Sequence, residues 1–508
     1  MTARAPTDAP APEEAPSLLR NWLSTAGIIL AASSFFAAAC LIAIDSFFGF
    51  SNPYLGILTY LVAPAFLVAG LLLISAGALL ERRRRRRRRP GEVPRYPRLD
   101  LNVPHQRHAF IAASVATFVF LIFTALGSYR TYQFTESVTF CGRTCHTIMR
   151  TEYTAYQESP HARVACVQCH IGPGAGWFVK SKLSGVYQVY ATIADRYPRP
   201  IPAPIKNLRP AQETCEQCHW PRKFYGAAER VLPHYLPDER NSPWTIRLLL
   251  KIGGGEPNYG PAGGIHWHMN IANRIEYIAT DSQRQVIPWV RLTDARGSTT
   301  IYQSTASPLT AAQVAASLRR TMDCIDCHNR PTHIFNAPVT SVNLAISTGR
   351  IDSTIPFIKR QAVRALAAPY AGTPVALSGI ATALTAFYDS GYPGVAIPRL
   401  RQAIAEVRTI YTHDFFPGMK SDWRSYPDNI GHKNSPGCFR CHDGNHTSAD
   451  GRTISHDCTA CHAIIAQGPG RAPGTITAKG LDFQHPVDIG GAWRAMLCSD
   501  CHHGAMVE

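Results

Sequence analysis

The sequence predicts a mainly α-helical protein with three transmembrane helices at its N-terminus, an extended region outside the membrane and one small β-hairpin. Three apolar stretches, at residues 23–47, 54–80 and 108–129, are each long enough to cross a hydrocarbon layer of about 30 Å as a helix. Residues 340–412 repeat apolar side chains at helical spacing between proline and glycine breaks. Cysteine pairs then recur along the rest of the chain, and they indicate how the external region is held together.

An arginine run determines the predicted orientation of the membrane helices. Arg82–Arg89 is unbroken and lies in the short loop between the second and third apolar stretches. Loops this basic stay in the cytoplasm. We therefore predict a disordered cytoplasmic tail over residues 1–22, a membrane anchor over residues 23–130, and a remainder on the periplasmic side of the cytoplasmic (inner) membrane.

The formal net charge of +16 does not indicate a nucleic-acid partner. Eight of the positive charges belong to Arg82–Arg89, which serves as a topology signal and could also hold anionic lipid head groups. The partner that this part of the chain predicts is the lipid bilayer.

Seven cysteine pairs share one feature, a histidine directly after the second cysteine. Disulfides give no reason for that histidine, and zinc ribbons pair two cysteine knuckles per metal without needing it. In c-type haem attachment, by contrast, two thiols take the vinyl groups and the next histidine binds the iron. The sequence therefore predicts seven covalently bound haems. The motifs are Cys141/Cys145/His146, Cys166/Cys169/His170, Cys215/Cys218/His219, Cys324/Cys327/His328, Cys438/Cys441/His442, Cys458/Cys461/His462 and Cys498/Cys501/His502.

The first motif differs from the others in length, and one cysteine belongs to no motif. The motif that begins at Cys141 has one extra intervening residue, which fits haem attachment if the turn bulges. Cys40 is outside the motifs, inside the first apolar stretch, and is predicted to pack there.

The haems are predicted to contact one another. With roughly 50 external residues per haem, the chain is too short to build an insulating core around each one. Packed haems replace much of that core and conduct electrons, and the first motif follows closely on the third apolar stretch. The predicted domains are a trihaem domain at residues 131–230, a middle region with one haem and the hairpin at 231–430, and a C-terminal trihaem module at 431–508.

Further side chains are candidates for the distal position of each iron. Bis-histidine ligation is usual in low-potential electron-transfer haems, and histidines near the motifs or in clusters are the best candidates. The alternative for each is an ordinary surface or core residue, and for the methionine it is packing. The candidates are Met149, His161, His266, His268, His333, His432, His446, His456 and His485.

The N-terminal motifs resemble the NapC/NirT/NrfH family of membrane-bound quinol-oxidising cytochromes. The resemblance lies in Ser159-Pro-His-Ala-Arg-Val-Ala-Cys-Val-Gln-Cys-His-Ile-Gly-Pro-Gly174, in Val179-Lys-Ser-Lys-Leu-Ser-Gly185, and in Cys215-Glu-Gln-Cys-His219. The remaining chain, with Pro436-Gly-Cys-Phe-Arg-Cys-His-Asp-Gly-Asn-His446 and Phe483-Gln-His-Pro-Val-Asp488, is similar to the seven-haem inner-membrane cytochromes of the ImcH type.

The resemblance implies oxidation of menaquinol at the first haem and electron delivery to periplasmic cytochromes or a terminal reductase in anaerobic respiration. It also implies a quinol site at the basic segment, where Lys180 or Lys182 would make polar contacts; the alternative for both is solvated or lipid-facing charge. Two departures concern the first iron. Met149 lies one residue further from the motif than the family's methionine, and no acidic residue follows Lys182 before Asp195.

Two other functions compete with quinol oxidation. One is a terminal reductase of a small oxyanion, which needs an iron with an open coordination position. The other is an electron-relay subunit that anchors a larger membrane complex without meeting quinol itself. Either would keep the haem chain and the membrane anchor.

Overall fold

A computed structural model describes residues 17–48, 62–85 and 100–505, with short internal gaps. The gaps fall at positions 145, 173, 206–207, 255–257, 259–262, 271 and 473–474. Most of the predicted tail, the start of the second apolar stretch, Arg86–Arg89 and Cys145 lie outside the described residues, as does the side chain of His146. The chain divides into two compact units, residues 1–134 with 171–185, and residues 135–170 with 186–508.

All three apolar stretches form helices over their described residues. Helices α1 (Trp22–Phe48) and α2 (Ala63–Arg85) contain segments that are long and apolar enough to cross a membrane, and most of the side chains in those segments are not buried. The third stretch lies within α3 (Pro104–Thr135). The structure thus supports two candidate spans by length and composition, while the third span and the orientation remain predictions.

Small residues bring α1 and α2 into close contact. A Cβ atom on Gly27 would lie 2.7 Å from the backbone nitrogen of Ile74, and one on Gly70 would lie 2.6 Å from that of Ala31. Such near approach of two helix backbones is typical of helix pairs in lipid, where small residues allow extensive van der Waals contact.

Three short helices, α5 (Cys166–His170), α9 (Cys324–Cys327) and α14 (Cys498–Cys501), each carry both cysteines of one motif. The other helices in this part of the chain are α4 (His146–Gln157), α6 (Ala175–Ile193), α7 (Ala211–Cys215) and α8 (Ala311–Ala316).

Two antiparallel sheets lie in the second unit. One has the strand order β1 (Ala227–Tyr235), β2 (Pro243–Lys251), β8 (His462–Pro469). The other has the order β6 (Arg320–Thr321), β3 (Arg274–Ile278), β4 (Trp289–Thr293), β5 (Thr299–Ser304), β7 (His446–Ser448).

The predicted hairpin is confirmed and forms the middle of the larger sheet. Strands β3 and β4 pair with Ile275 opposite Leu292 and Tyr277 opposite Val290. Ile275 and Tyr277 are both buried. Because alternate residues of a strand point to the same face, this spacing buries one apolar face.

Four helices between the fourth and fifth motifs build a core of their own. They are α10 (Pro338–Ser347), α11 (Ile358–Ala367), α12 (Thr373–Gly391) and α13 (Ile397–Asp414), as predicted for residues 340–412. On α11, Ile358, Ala362 and Leu366 follow a spacing of four residues and are buried against the other three helices. This part of the external region is therefore packed by ordinary apolar side chains.

Candidate haem sites

The attachment motifs form tight turns. In α5, α9 and α14 the two cysteines stand three residues apart on a single helical turn, and in the fifth and sixth motifs a 3-10 turn spans Gly437–Arg440 or Cys458–Ala460. Residues three apart lie on the same side of such a turn. Both thiols of a pair are therefore presented in one direction, as attachment to one porphyrin requires.

The third motif forms a similar turn where a helix ends. Helix α7 ends at Cys215, and the backbone nitrogens of Cys218 and His219 both donate to the Cys215 carbonyl oxygen, at 3.1 and 2.8 Å. The attachment cysteines differ in exposure: Cys218, Cys438, Cys458 and Cys501 are exposed, and the other described ones are partly buried.

The first motif has the bulge that its extra residue predicts. Phe140–Thr144 is a π-helical turn, the form by which a helix takes in one additional residue. Gly142 sits against the ring of Tyr153, where a Cβ would collide with the ring carbons, so only glycine fits there without a shift.

Six of the attachment histidines face the ring of a second histidine. An ion held at about 2 Å from one nitrogen of each imidazole places the two ring centres roughly 6 Å apart. The observed spacings match that value, so the residues present fit an iron with two axial histidines. The pairs and their centroid distances are His161–His219, 6.0 Å; His170–His333, 6.3 Å; His266–His328, 6.3 Å; His268–His442, 5.8 Å; His432–His462, 6.3 Å; and His485–His502, 6.0 Å.

Backbone hydrogen bonds orient several of these rings. A carbonyl oxygen only accepts, so each such Nδ1 carries the proton and leaves Nε2 to bind a metal. The bonded pairs are His266 with Ile252, 2.8 Å; His268 with Ile265, 2.9 Å; His333 with Glu152, 2.9 Å; and His442 with Ser455, 2.6 Å.

Burial favours the neutral form of several of the paired rings. It lowers the pKa of His170, with the neighbouring His333 adding to the effect. Burial and then the Arg330 charge lower the pKa of His333 to about 4. The pKa of His268 is also lowered, again mainly by burial. A histidine binds a metal through its neutral form, so these surroundings favour ligation.

A zinc site would need a different cluster. Structural zinc is bound by four cysteine or histidine ligands at one centre. Within the ranges that the structure covers, no group of three or more histidine, cysteine, aspartate or glutamate side chains is arranged to hold a metal ion.

The first four motifs adjoin one another in chain order. The thiol of Cys166 is hydrogen bonded to Cys141, and that of Cys215 to Cys324. Helix α7 contacts both α5 and α9. The second, third and fourth motifs are therefore in a row, with the first beside the second.

The last three motifs continue this row. Cys327 interacts electrostatically with Cys438, Cys438 with Cys461, and Cys458 with Cys498. Each of these three contacts joins two motifs that are neighbours in the sequence. The seven attachment sites thus follow one another in space in the order of the chain.

His446 corrects one of the sequence-based predictions. Its Nδ1 lies 2.8 Å from a carboxylate oxygen of Asp443, and its Nε2 lies 2.7 Å from the carbonyl oxygen of Ile287. Burial of the ring opposes its charged form. The hydrogen bonds to Asp443 and Ile287 and the negative charge of Asp443 outweigh burial, so the pKa of His446 is raised. Both nitrogens of this ring are engaged, so His446 ties β7 into the larger sheet and has none left for iron.

Two other candidates are outside the six pairs. His456 lies beside Gly444, whose Cβ, if present, would stand 3.1 Å from the His456 ring nitrogen. Met149 packs against the buried cluster that includes Ile148 and Phe335. This contact is consistent with a packing role, which is the alternative to ligation of the first iron.

The two lysines of the basic segment lie on α6. The ammonium group of Lys180 is 4.7 Å from the ring centre of Trp177, and that of Lys182 is 4.8 Å from the ring centre of Phe178. These are cation–π distances. The segment therefore combines positive charge with aromatic side chains on one helix.

One network beside the paired histidines was not predicted. Glu152 forms an ion pair of 2.9 Å with Arg330, and its carboxylate lies 3.4 Å from Nδ1 of His333. No spacing in the sequence signals this contact, because α4 and the segment after the fourth motif come together only in the fold.

Comparison with known proteins defines first the class and then the particular type. Residues 103–200 match the N-terminal region of the NapC/NirT cytochrome c family. The chain belongs to this family of membrane-associated c-type cytochromes. Over 490 residues, 96% of this chain and 96% of the relative, it is 45% identical to the cytochrome c-type protein ImcH of Geobacter sulfurreducens. The family predicted from the motifs is thus confirmed; no solved structure matches the chain.

Proposed function

We propose that this cytochrome is a quinol dehydrogenase, which oxidises menaquinol at the cytoplasmic membrane and passes the electrons through seven haems to periplasmic acceptors during anaerobic respiration. The six facing histidine pairs, at spacings of 5.8–6.3 Å, carry the proposal, because they suit low-spin electron-transfer haems. Oxidation of one quinol releases two protons and two electrons, and each haem iron takes one electron at a time.

The attachment cysteines and histidines supply the proximal side of each haem in this proposal. The distal ligands are His333, His161, His266, His268, His432 and His485 for the second to seventh haems in that order. His146 binds the first iron, and Met149, three residues further on, remains its candidate second ligand.

The membrane arrangement has three spans, with α3 as the third. Its N-terminal end follows the arginine-rich loop, which supports a cytoplasmic position for that end. The predicted domains then lie in the periplasm: a trihaem domain, a middle region with one haem, and a C-terminal trihaem module. Lys180 and Lys182 provide polar contacts for the quinol, and the aromatic side chains beside them suit a membrane interface.

Quinol titration of the purified protein in detergent tests the function. A menaquinol analogue is expected to produce the sharp reduced absorption of thioether-linked haem, whereas the oxidised quinone is not. A haem assay and intact mass should count seven haems per chain. If no quinol reduces the haems, while a soluble reductant does, the protein is a relay subunit that receives its electrons from a partner.

The oxyanion-reductase alternative requires an accessible iron. In the proposed ligand set, six irons have histidine on both sides, which leaves them no open position for nitrite or sulfite. A high-spin haem that binds either anion in the full-length protein would favour this alternative.

A further inference from the structure

One short helix carries two histidines that face two different attachment histidines. The helix is a 3-10 turn over Ile265–Met269, here called the bridge helix. Its His266 pairs with His328 of the fourth motif, at 6.3 Å between ring centres. Its His268 pairs with His442 of the fifth motif, at 5.8 Å.

The geometry of the bridge helix explains this division. In a 3-10 helix each residue turns by about 120° and rises about 2 Å, so side chains two positions apart point roughly 120° apart. His266 and His268 therefore cannot share one iron, but they can serve two. Their Nδ1 atoms bond to backbone carbonyl oxygens of Ile252 and Ile265, which holds both rings with Nε2 outward.

The attachment side of the same two motifs is also joined. Arg440, inside the fifth motif, donates to the backbone oxygen of Asp326 inside the fourth motif at 2.7 Å, and to that of Arg284 at 2.9 Å. Asn429 donates to the same Asp326 oxygen at 3.0 Å. The Asp326 carboxylate in turn accepts from Tyr277 at 2.6 Å and pairs with Arg284 at 2.8 Å.

We propose that the bridge helix and the Arg440–Asp326 contact hold the fourth and fifth haems as one rigid pair. This pair is the junction between the four N-terminal haems and the three C-terminal ones. One electron passes from ferrous to ferric iron across it, with no proton involved. The inference rests on the haem ligation in the proposed function, but not on quinol as the electron donor.

The two haems of the pair have different spectroscopic signatures. The ring planes of His266 and His328 differ by 4°, whereas those of His268 and His442 differ by 90°. Parallel axial imidazoles give a rhombic low-spin ferric EPR signal, and perpendicular ones give a highly anisotropic signal, because ligand orientation sets the splitting of the iron d orbitals. EPR of the oxidised protein therefore distinguishes these two haems from each other. The near-perpendicular pair His161–His219, at 78°, and the near-parallel pair His432–His462, at 23°, give signals of the same two classes, so each variant is compared with the parent protein by difference spectra.

Gly254→Ala tests whether one element holds both haems. Gly254 has φ +124°, and a Cβ there would collide with the carbonyl group of His266, so alanine must displace the bridge helix. We expect both EPR signals to change together. Gly297→Ala is the matched control: Gly297 has φ +79° and no atom within 4 Å of its Cβ position. It introduces backbone strain elsewhere and should leave both signals unchanged.

His266→Met and His268→Met complete the test if the glycine variant does not fold. Each should abolish only its own signal and raise the potential of only its own haem, since methionine ligation raises potential, with seven haems still attached by mass. A change in one signal alone in Gly254→Ala, or no loss of signal in either methionine variant, would overturn the inference. These readouts need no quinol, so a protein that passes them but is not reduced by menaquinol refutes only the proposed donor.

Discussion

His333 and His170 belong to segments far apart in the sequence, yet their rings lie 6.3 Å apart. Replacing His333 by alanine should leave His170 as the sole axial ligand on that iron. We expect one additional high-spin ferric signal by EPR, since a five-coordinate histidine haem is high-spin. His413→Ala is the control, because the His413 side chain is 41% exposed and His413 is neither a candidate ligand nor one of the six pairs. An unchanged low-spin spectrum in the His333 variant would show that the pair is not a ligand set.

The carboxylate beside His333 should influence the same haem. Burial raises the pKa of Glu152, while Arg330 opposes that effect and pairs with the carboxylate. Glu152→Gln removes a negative charge near the ligand and makes the imidazole less basic, so the haem potential should rise by tens of millivolts. Potentiometric titration followed by EPR measures the shift. Glu158→Gln, at a glutamate whose side chain is 63% exposed, should leave every potential unchanged.

At the scale of elements, α1 and α2 depend on small residues. Gly70→Val would push into the backbone of Ala31, so we expect the pair to separate and the protein to lose about 1–3 kcal/mol of stability. Thermal denaturation in detergent measures the loss. Gly127→Val on α3 is the matched control, because no atom lies within 4 Å of its Cβ position. Equal melting temperatures for the two variants would contradict close packing of α1 on α2.

The elements also show how far local sequence signals reach. Helices α11 and α13 follow from the spacing of their apolar residues, and β3 and β4 from alternation and nearness in the chain. The smaller sheet was not predicted. Its strand β8 pairs with β2, which precedes it by some two hundred residues, and no local pattern specifies a partner at that distance.

For the whole molecule, the row of motifs ends at Cys498 and Cys501. Replacing both by alanine should remove only the seventh haem, so intact mass should fall by one haem. Reduction of the other six by menaquinol should persist, because they precede it in the row, whereas electron transfer to a soluble ferric chelate should slow. Cys40→Ala, in the first apolar stretch, should change neither property. Loss of quinol reduction in the double variant would contradict this order, because it would show that electrons enter at the C-terminal end of the row of motifs.

The sequence by itself determined the family, the attachment motifs and the apolar helices. Haem attachment needs only a few neighbouring residues, and membrane-length helices need only a continuous apolar run, so both are local properties. Only the tertiary structure decided which histidines face each other and which stand apart. His446 lies close to the fifth motif in the sequence, which made it a candidate ligand, but in the fold its ring contacts Asp443 and Ile287. The two histidines of an axial pair come from different segments of the chain. Which histidines face each other therefore depends on how those segments pack.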